Sequence, residues 1–147
     1  MELHPCACGE TVAPDRHRLL SGESGLVARY DGACPRCGAL RRFDFTLTDE
    51  IVPLEAFGGA QPSTIIDAGQ FLAYADAAAQ RDEPAWLARA IAALDEVLKL
   101  IPPGADRVPP ESITSPDGRA FYEREPGRFR RSRLEAVRGA YAKLLDA

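Results

Sequence analysis

The chain has 147 residues, 46% of them hydrophobic and 27% charged, with a net charge of −4. That composition is globular and excludes the disordered and fibrous classes; no apolar run reaches the roughly 18 residues that a membrane span needs, and the opening MELHPC lacks the basic-then-apolar layout of a secretory signal. A cytoplasmic location is therefore expected, and in that reducing compartment four cysteines in two close pairs point to metal binding before disulfides.

Charge is uneven along the chain. Residues 1–48 hold six basic and six acidic side chains, residues 49–118 four and twelve, and residues 119–147 eight and four, so the three segments carry 0, −8 and +4. The acidic middle opposes non-specific attraction to nucleic acid, while the basic tail leaves room for a local phosphate patch. After Cys8 a polar stretch leads to GLVARYDG, where Leu26, Ala28 and Tyr30 alternate with Val27, Arg29 and Asp31. That period predicts a strand, ended by Asp-Gly, and the preceding Gly22-Glu23-Ser24-Gly25 reads as a turn. LRRFDFTL alternates Phe43, Phe45 and Leu47 against Arg42, Asp44 and Thr46, a second strand. The two flank CPRC, so a hairpin with a cysteine pair at its tip is expected.

Proline and glycine accumulate over residues 51–63, which places a connector there between an N-terminal module, 1–50, and a helical module, 64–147. Asp67 is expected to cap a helix reaching about Gln80, with Phe71, Leu72, Ala75 and Ala78 on one face. Asp82 is expected to cap the next, in which Leu87, Ile91, Leu94, Leu98 and Ile101 recur every three or four residues until Pro102-Pro103-Gly104. Ser115 with Pro116 opens a short helix to Arg124, broken at Pro126-Gly127. A last helix, about Phe129 to Leu145, is expected to bury Leu134, Val137, Tyr141 and Leu144 and to turn Arg130, Arg131 and Arg138 outward. Between them IPPGADRVPPESIT is either a rigid docking edge or a connector laid across the helices, since its Pro-Pro pairs can continue neither helix.

A divalent zinc ion prefers four ligands in a tetrahedron, and thiolates suit it through softness and charge. Cys6, Cys8, Cys34 and Cys37 supply four from two tight turns. In CPRCG the proline stiffens the turn, and Gly38 lets the backbone curl so that N–H groups point at sulfur. These residues, with Cys8-Gly9 in the other turn, resemble the zinc-ribbon and rubredoxin-like knuckle families over about residues 1–48. The resemblance implies a small β-hairpin module built on a structural zinc, with iron as the alternative ion. The first pair departs from the pattern, one residue separating Cys6 from Cys8 where the families have two, which makes His4 a candidate substitute ligand. CPRC also has the form of a thiol oxidoreductase motif, but those place it before a helix, and here a strand follows. With all four cysteines engaged the site is closed, and zinc takes the place of a core that so small a module cannot build.

The densest basic cluster is Arg128, Arg130, Arg131 and Arg133, a candidate grip for RNA, DNA or an acidic protein; the plainer reading is a solvated or internally paired face. Trp86 is expected in the core, and Asp95 and Glu96 to face solvent, about 100° apart on their helix and a poor acid/base pair. The expected architecture is α+β, a small zinc-ribbon hairpin followed by a bundle of three to four helices. The expected role is non-enzymatic: a zinc-binding interaction or regulatory module whose partner is another protein, met on the helical surface. One alternative is an acidic inhibitor, of immunity type, of a basic nuclease or toxin, using Asp82, Glu83, Asp95 and Glu96 as phosphate mimics. The other is a nucleic-acid-binding ribbon, against which stands the neutral charge of residues 1–48 and their lack of a basic stripe.

Overall fold

The computed structural model describes residues 5–23, 25–47, 56–81 and 83–147. The chain divides into two compact units, Glu2–Ile51 and Val52–Ala147. Among the described residues a three-stranded antiparallel sheet lies in the first and four α-helices in the second, an α+β architecture. Among the described residues no helix is long and apolar enough to cross a membrane.

The strands β1 (Arg16–Gly22), β2 (Gly25–Ala33) and β3 (Leu40–Thr46) pair in sequence order. β2 and β3 are the two alternating segments read from the sequence. β1 comes from the stretch read only as polar; RHRLLSG lacks a clean apolar alternation, and its strand form rests on pairing with β2, Arg16 opposite Asp31 and Gly22 opposite Gly25. Register sorts the side chains by parity. His17, Leu19, Ala28, Tyr30, Phe43 and Phe45 share one face, where the His17 ring stacks on Tyr30 at 4.7 Å and Tyr30 meets Phe45 edge-on at 5.7 Å. Arg16, Arg18, Arg29, Asp31, Arg42 and Asp44 share the other. There Arg16 and Arg18 both donate to Asp31, at 2.5 and 2.9 Å, and the Arg29 fork takes Asp44 at 2.7 and 2.8 Å. The described strands thus gather a mixed stripe of arginines and aspartates, not a basic one, which only strand pairing assembles.

These pairs predict an acid response. The Arg16 hydrogen bond holds the Asp31 carboxyl below the usual carboxylate range, and Arg29 does the same for Asp44. A carboxylate whose folded-state pKa is lowered stabilises the fold above its unfolded value and loses that contribution as pH falls through the folded value. Asp44→Asn should therefore reduce the sheet unit's stability at pH 7 and flatten its decline below about pH 4, read from β2 amide protection across a pH series. An unchanged slope would remove the pair from the account.

In the helical unit, α1 (Ala68–Ala79) packs against α2 (Pro84–Lys99) and α3 (Pro116–Arg124), and α2 against α4 (Arg131–Leu145). Phe71, Leu72, Leu94, Val97, Ile113, Phe129 and Leu134 form the fully buried centre. The expected cap Asp82 lies outside the described residues; Glu83 holds the N-cap position of α2 without a side-chain bond, and Pro84 starts the helix. Phe129 does not begin the last helix. It closes a 3-10 turn, Pro126–Phe129, and enters the core between Phe121 at 5.7 Å and Tyr122 at 4.9 Å. Trp86 stays half-exposed, with the Arg81 guanidinium 4.1 Å over its ring, and Leu144 is exposed. The proline-rich segment is a connector laid across the helices. The Val108 N–H donates to the Phe129 carbonyl at 3.1 Å, the Arg131 N–H to the Asp106 carbonyl at 2.7 Å, and Val108 and Ile113 are buried.

Two helix starts meet at Asp67. Its Oδ1 accepts the Gln70 N–H at 3.0 Å while the Gln70 side chain accepts the Asp67 N–H, a reciprocal cap on α1. Its Oδ2 accepts the N–H groups of Thr114 at 3.0 Å and Ser115 at 2.6 Å, and the Ser115 hydroxyl oxygen caps α3 through the Gly118 N–H. Gly69 and Gly118 allow this approach: a Cβ on Gly69 would lie 2.3 Å from the Gly118 Cα.

Candidate metal centre

The cysteines converge from two loops. Cys34 and Cys37 sit at the tip of the β2–β3 hairpin, whose last pair is Ala33 with Leu40. Its Cys34 N–H donates to the Ala39 carbonyl at 2.8 Å and the Gly38 N–H to the Cys34 carbonyl at 2.9 Å. The first loop closes in the same way with one residue fewer: the Cys6 N–H donates to the Glu10 carbonyl at 2.8 Å and the Gly9 N–H to the Cys6 carbonyl at 2.7 Å. Gly9 and Gly38 follow the second cysteine of each loop in left-handed conformation, φ 84° and 74°. The shortened spacing of Cys6-Ala7-Cys8 is thus absorbed within one turn.

The four Sγ atoms all lie within 4.8 Å of one another, and two contacts cross between loops, Cys6 to Cys37 and Cys8 to Cys34, each 3.6 Å. None of the four is in a disulfide. A tetrahedron with metal–sulfur bonds of about 2.3 Å has sulfur–sulfur edges of about 3.8 Å. The donor set therefore fits one four-coordinate metal ion. Cys6 and Cys34 are buried, Cys8 is half-buried and Cys37 is exposed.

The electrostatics point the same way. The Cys37 N–H, then that of Arg36, and the thiols of Cys37 and Cys8 stabilise the Cys34 thiolate, bringing its pKa down to about 6. At Cys37 the Ala39 N–H also favours the thiolate, but the sulfurs of Cys8, Cys6 and Cys34 outweigh it and push the pKa up to about 12. Four sulfurs so close cannot all ionise against one another, and a cation among them removes that conflict.

Of the other singled-out residues, His4 lies outside the described residues. Arg128 is engaged inside the helical unit, its fork donating to Asp76 at 2.6 and 2.7 Å, whereas Arg130, Arg131 and Arg133 form no side-chain ion pair among the described residues. Glu96, expected at the surface, is buried; its carboxylate accepts from Lys99 at 2.7 Å, and Lys99 also donates to the Gly59 carbonyl at 2.6 Å. Asp95 pairs with Arg138. These internal partners leave little for Asp95 and Glu96 to offer a basic toxin.

Sequence reading missed three residues around the cysteines. Arg36 reaches from the second loop to the Cys8 carbonyl at 3.1 Å and to Glu10 at 3.5 Å. Arg41, buried on β3, donates to the Val12 carbonyl at 2.5 Å. The only signal was the arginine inside CPRC, and spacing alone does not say where so long a side chain goes. No known family, curated protein or solved structure matches the chain.

Proposed function

We propose that the four cysteines hold one zinc ion in a ribbon-like site, and that the chain is a non-enzymatic module that binds another protein. The convergence of four thiols from two glycine-closed loops carries the reading. Zinc suits an all-thiolate tetrahedron and has no geometric demand beyond it, and four protein ligands leave no position for a substrate. A structural role follows, in which the ion holds the first loop against the hairpin.

The interaction half of the proposal moves the contact from the helical surface, where the sequence suggested it, to the sheet unit. Leu19, Leu26 and Leu47 are about half exposed beside Tyr30, Phe43 and Phe45. Exposed apolar side chains gathered on one sheet face support an apolar protein partner. The opposite face, where Arg16, Arg18, Arg29 and Arg42 are each paired with Asp31 or Asp44, leaves nucleic acid as the weaker second reading. Native mass spectrometry of the protein from its own host should give one zinc per chain and a defined partner mass, lost from a Leu19→Ser, Leu26→Ser double variant. Iron in place of zinc would overturn the ion, and co-purifying nucleic acid released by salt would replace the partner.

A further inference from the structure

The first cysteine pair rides on residues 5–15, which form no strand themselves and lead into β1. Besides the sulfurs and its continuation into β1, two arginines of the hairpin donate hydrogen bonds to that loop, Arg41 to the Val12 carbonyl and Arg36 nearer the cysteines. Arg36 stands between Cys34 and Cys37 in sequence and crosses to the other pair: Nη1 donates to the Cys8 carbonyl at 3.1 Å, and Nε faces the Glu10 carboxylate at 3.5 Å. Glu10 in turn accepts the N–H groups of Thr11 at 2.9 Å and Val12 at 3.2 Å, which fixes the carboxylate that Arg36 reaches. One side chain from the second ligand loop thus holds both the carbonyl of a ligand and the residue that closes the first loop.

Resting on the zinc reading above, we infer that Arg36 is a positioning residue that keeps the two ligand loops in register and thereby sets how slowly the metal leaves. Its side chain is 60% exposed. A pair in that setting contributes little to fold stability. Its effect falls on metal retention, because loss of a single sulfur becomes permanent only when the loops part. Groups that orient metal ligands from behind typically change metal affinity by about 10- to 100-fold.

The test uses the full-length, zinc-loaded protein and an excess of the chromophoric chelator 4-(2-pyridylazo)resorcinol. Arg36→Met should bind one zinc and give the same four-thiolate cobalt(II) charge-transfer spectrum as the unaltered chain, yet release zinc about 10- to 100-fold faster. Glu10→Gln should accelerate release less, since the bond to the Cys8 carbonyl survives, and Arg36→Lys should fall between. Arg29→Met, which breaks a two-pronged ion pair elsewhere in the same sheet, should accelerate release far less than Arg36→Met. Unchanged release from Arg36→Met, or equal acceleration by Arg29→Met, would overturn the strap while leaving the metal site standing. A wild-type protein that takes up no zinc would overturn the metal reading itself.

Discussion

A Gly69→Ala variant is expected to lose about 4 kcal/mol from the helical unit, the sum of an overpacking cost and of buried N–H groups left without acceptors. The added Cβ would lie 2.3 Å from the Gly118 Cα and 2.9 Å from its carbonyl carbon and oxygen. Both sides of that contact are backbone, so no rotamer change relieves it. α1 must move away from α3, and the movement draws Asp67 off the N–H groups of Thr114 and Ser115, which it holds at 3.0 and 2.6 Å. Such a loss is a large part of the 5–15 kcal/mol that small domains possess. Urea unfolding followed by the fluorescence of Trp86, the chain's one tryptophan, measures it. Gly139→Ala is the matched control: in the interior of α4 its Cβ meets nothing within 4 Å, so it should gain about 0.5–1 kcal/mol. A Gly69→Ala midpoint equal to that of the unaltered chain would refute the contact.

On the proposed metal site, the sheet unit should respond as strongly to removal of the ion. Its described buried residues are Cys6, Ala28, Cys34 and Arg41, far too little apolar surface to offset the entropy of ordering the chain. Structural zinc supplies about 10–16 kcal/mol of apparent binding free energy in small zinc-binding peptides. Cys34→Ser, which removes the most deeply buried sulfur, should behave like the unaltered chain in excess EDTA. In both, β2 amides should exchange freely at pH 7 while α2 amides, whose core uses no cysteine, keep their protection. Cys37→Ser should lose less, because its exposed position lets water take the fourth place on the metal. Protected β2 amides in EDTA would show that the sheet stands without the ion.

What was legible in the sequence was local. Asp67 and Ser115 announce helix starts because a cap is made within three residues, and Pro116 strengthens the second. β2 and β3 announce themselves by alternation, and four cysteines in two tight turns announce a place where thiols could share a metal ion. The α+β order follows from those signals. Local signals failed where a long-range partner makes the decision. β1 is a strand because Arg16, Arg18 and their neighbours pair with β2, and the same pairing turns scattered arginines into a charged face. Glu96 is buried because Lys99 neutralises it while holding the Gly59 carbonyl, 40 residues away in the chain. Phe129 leaves the last helix because the core has room for it between Phe121 and Tyr122. By itself the sequence determined which residues could cap, alternate or ligate, since those properties belong to a residue and its near neighbours. Only the tertiary structure decided which long side chains meet across the fold, Arg36 over the first cysteine loop among them, because reach and direction depend on where distant backbone comes to lie.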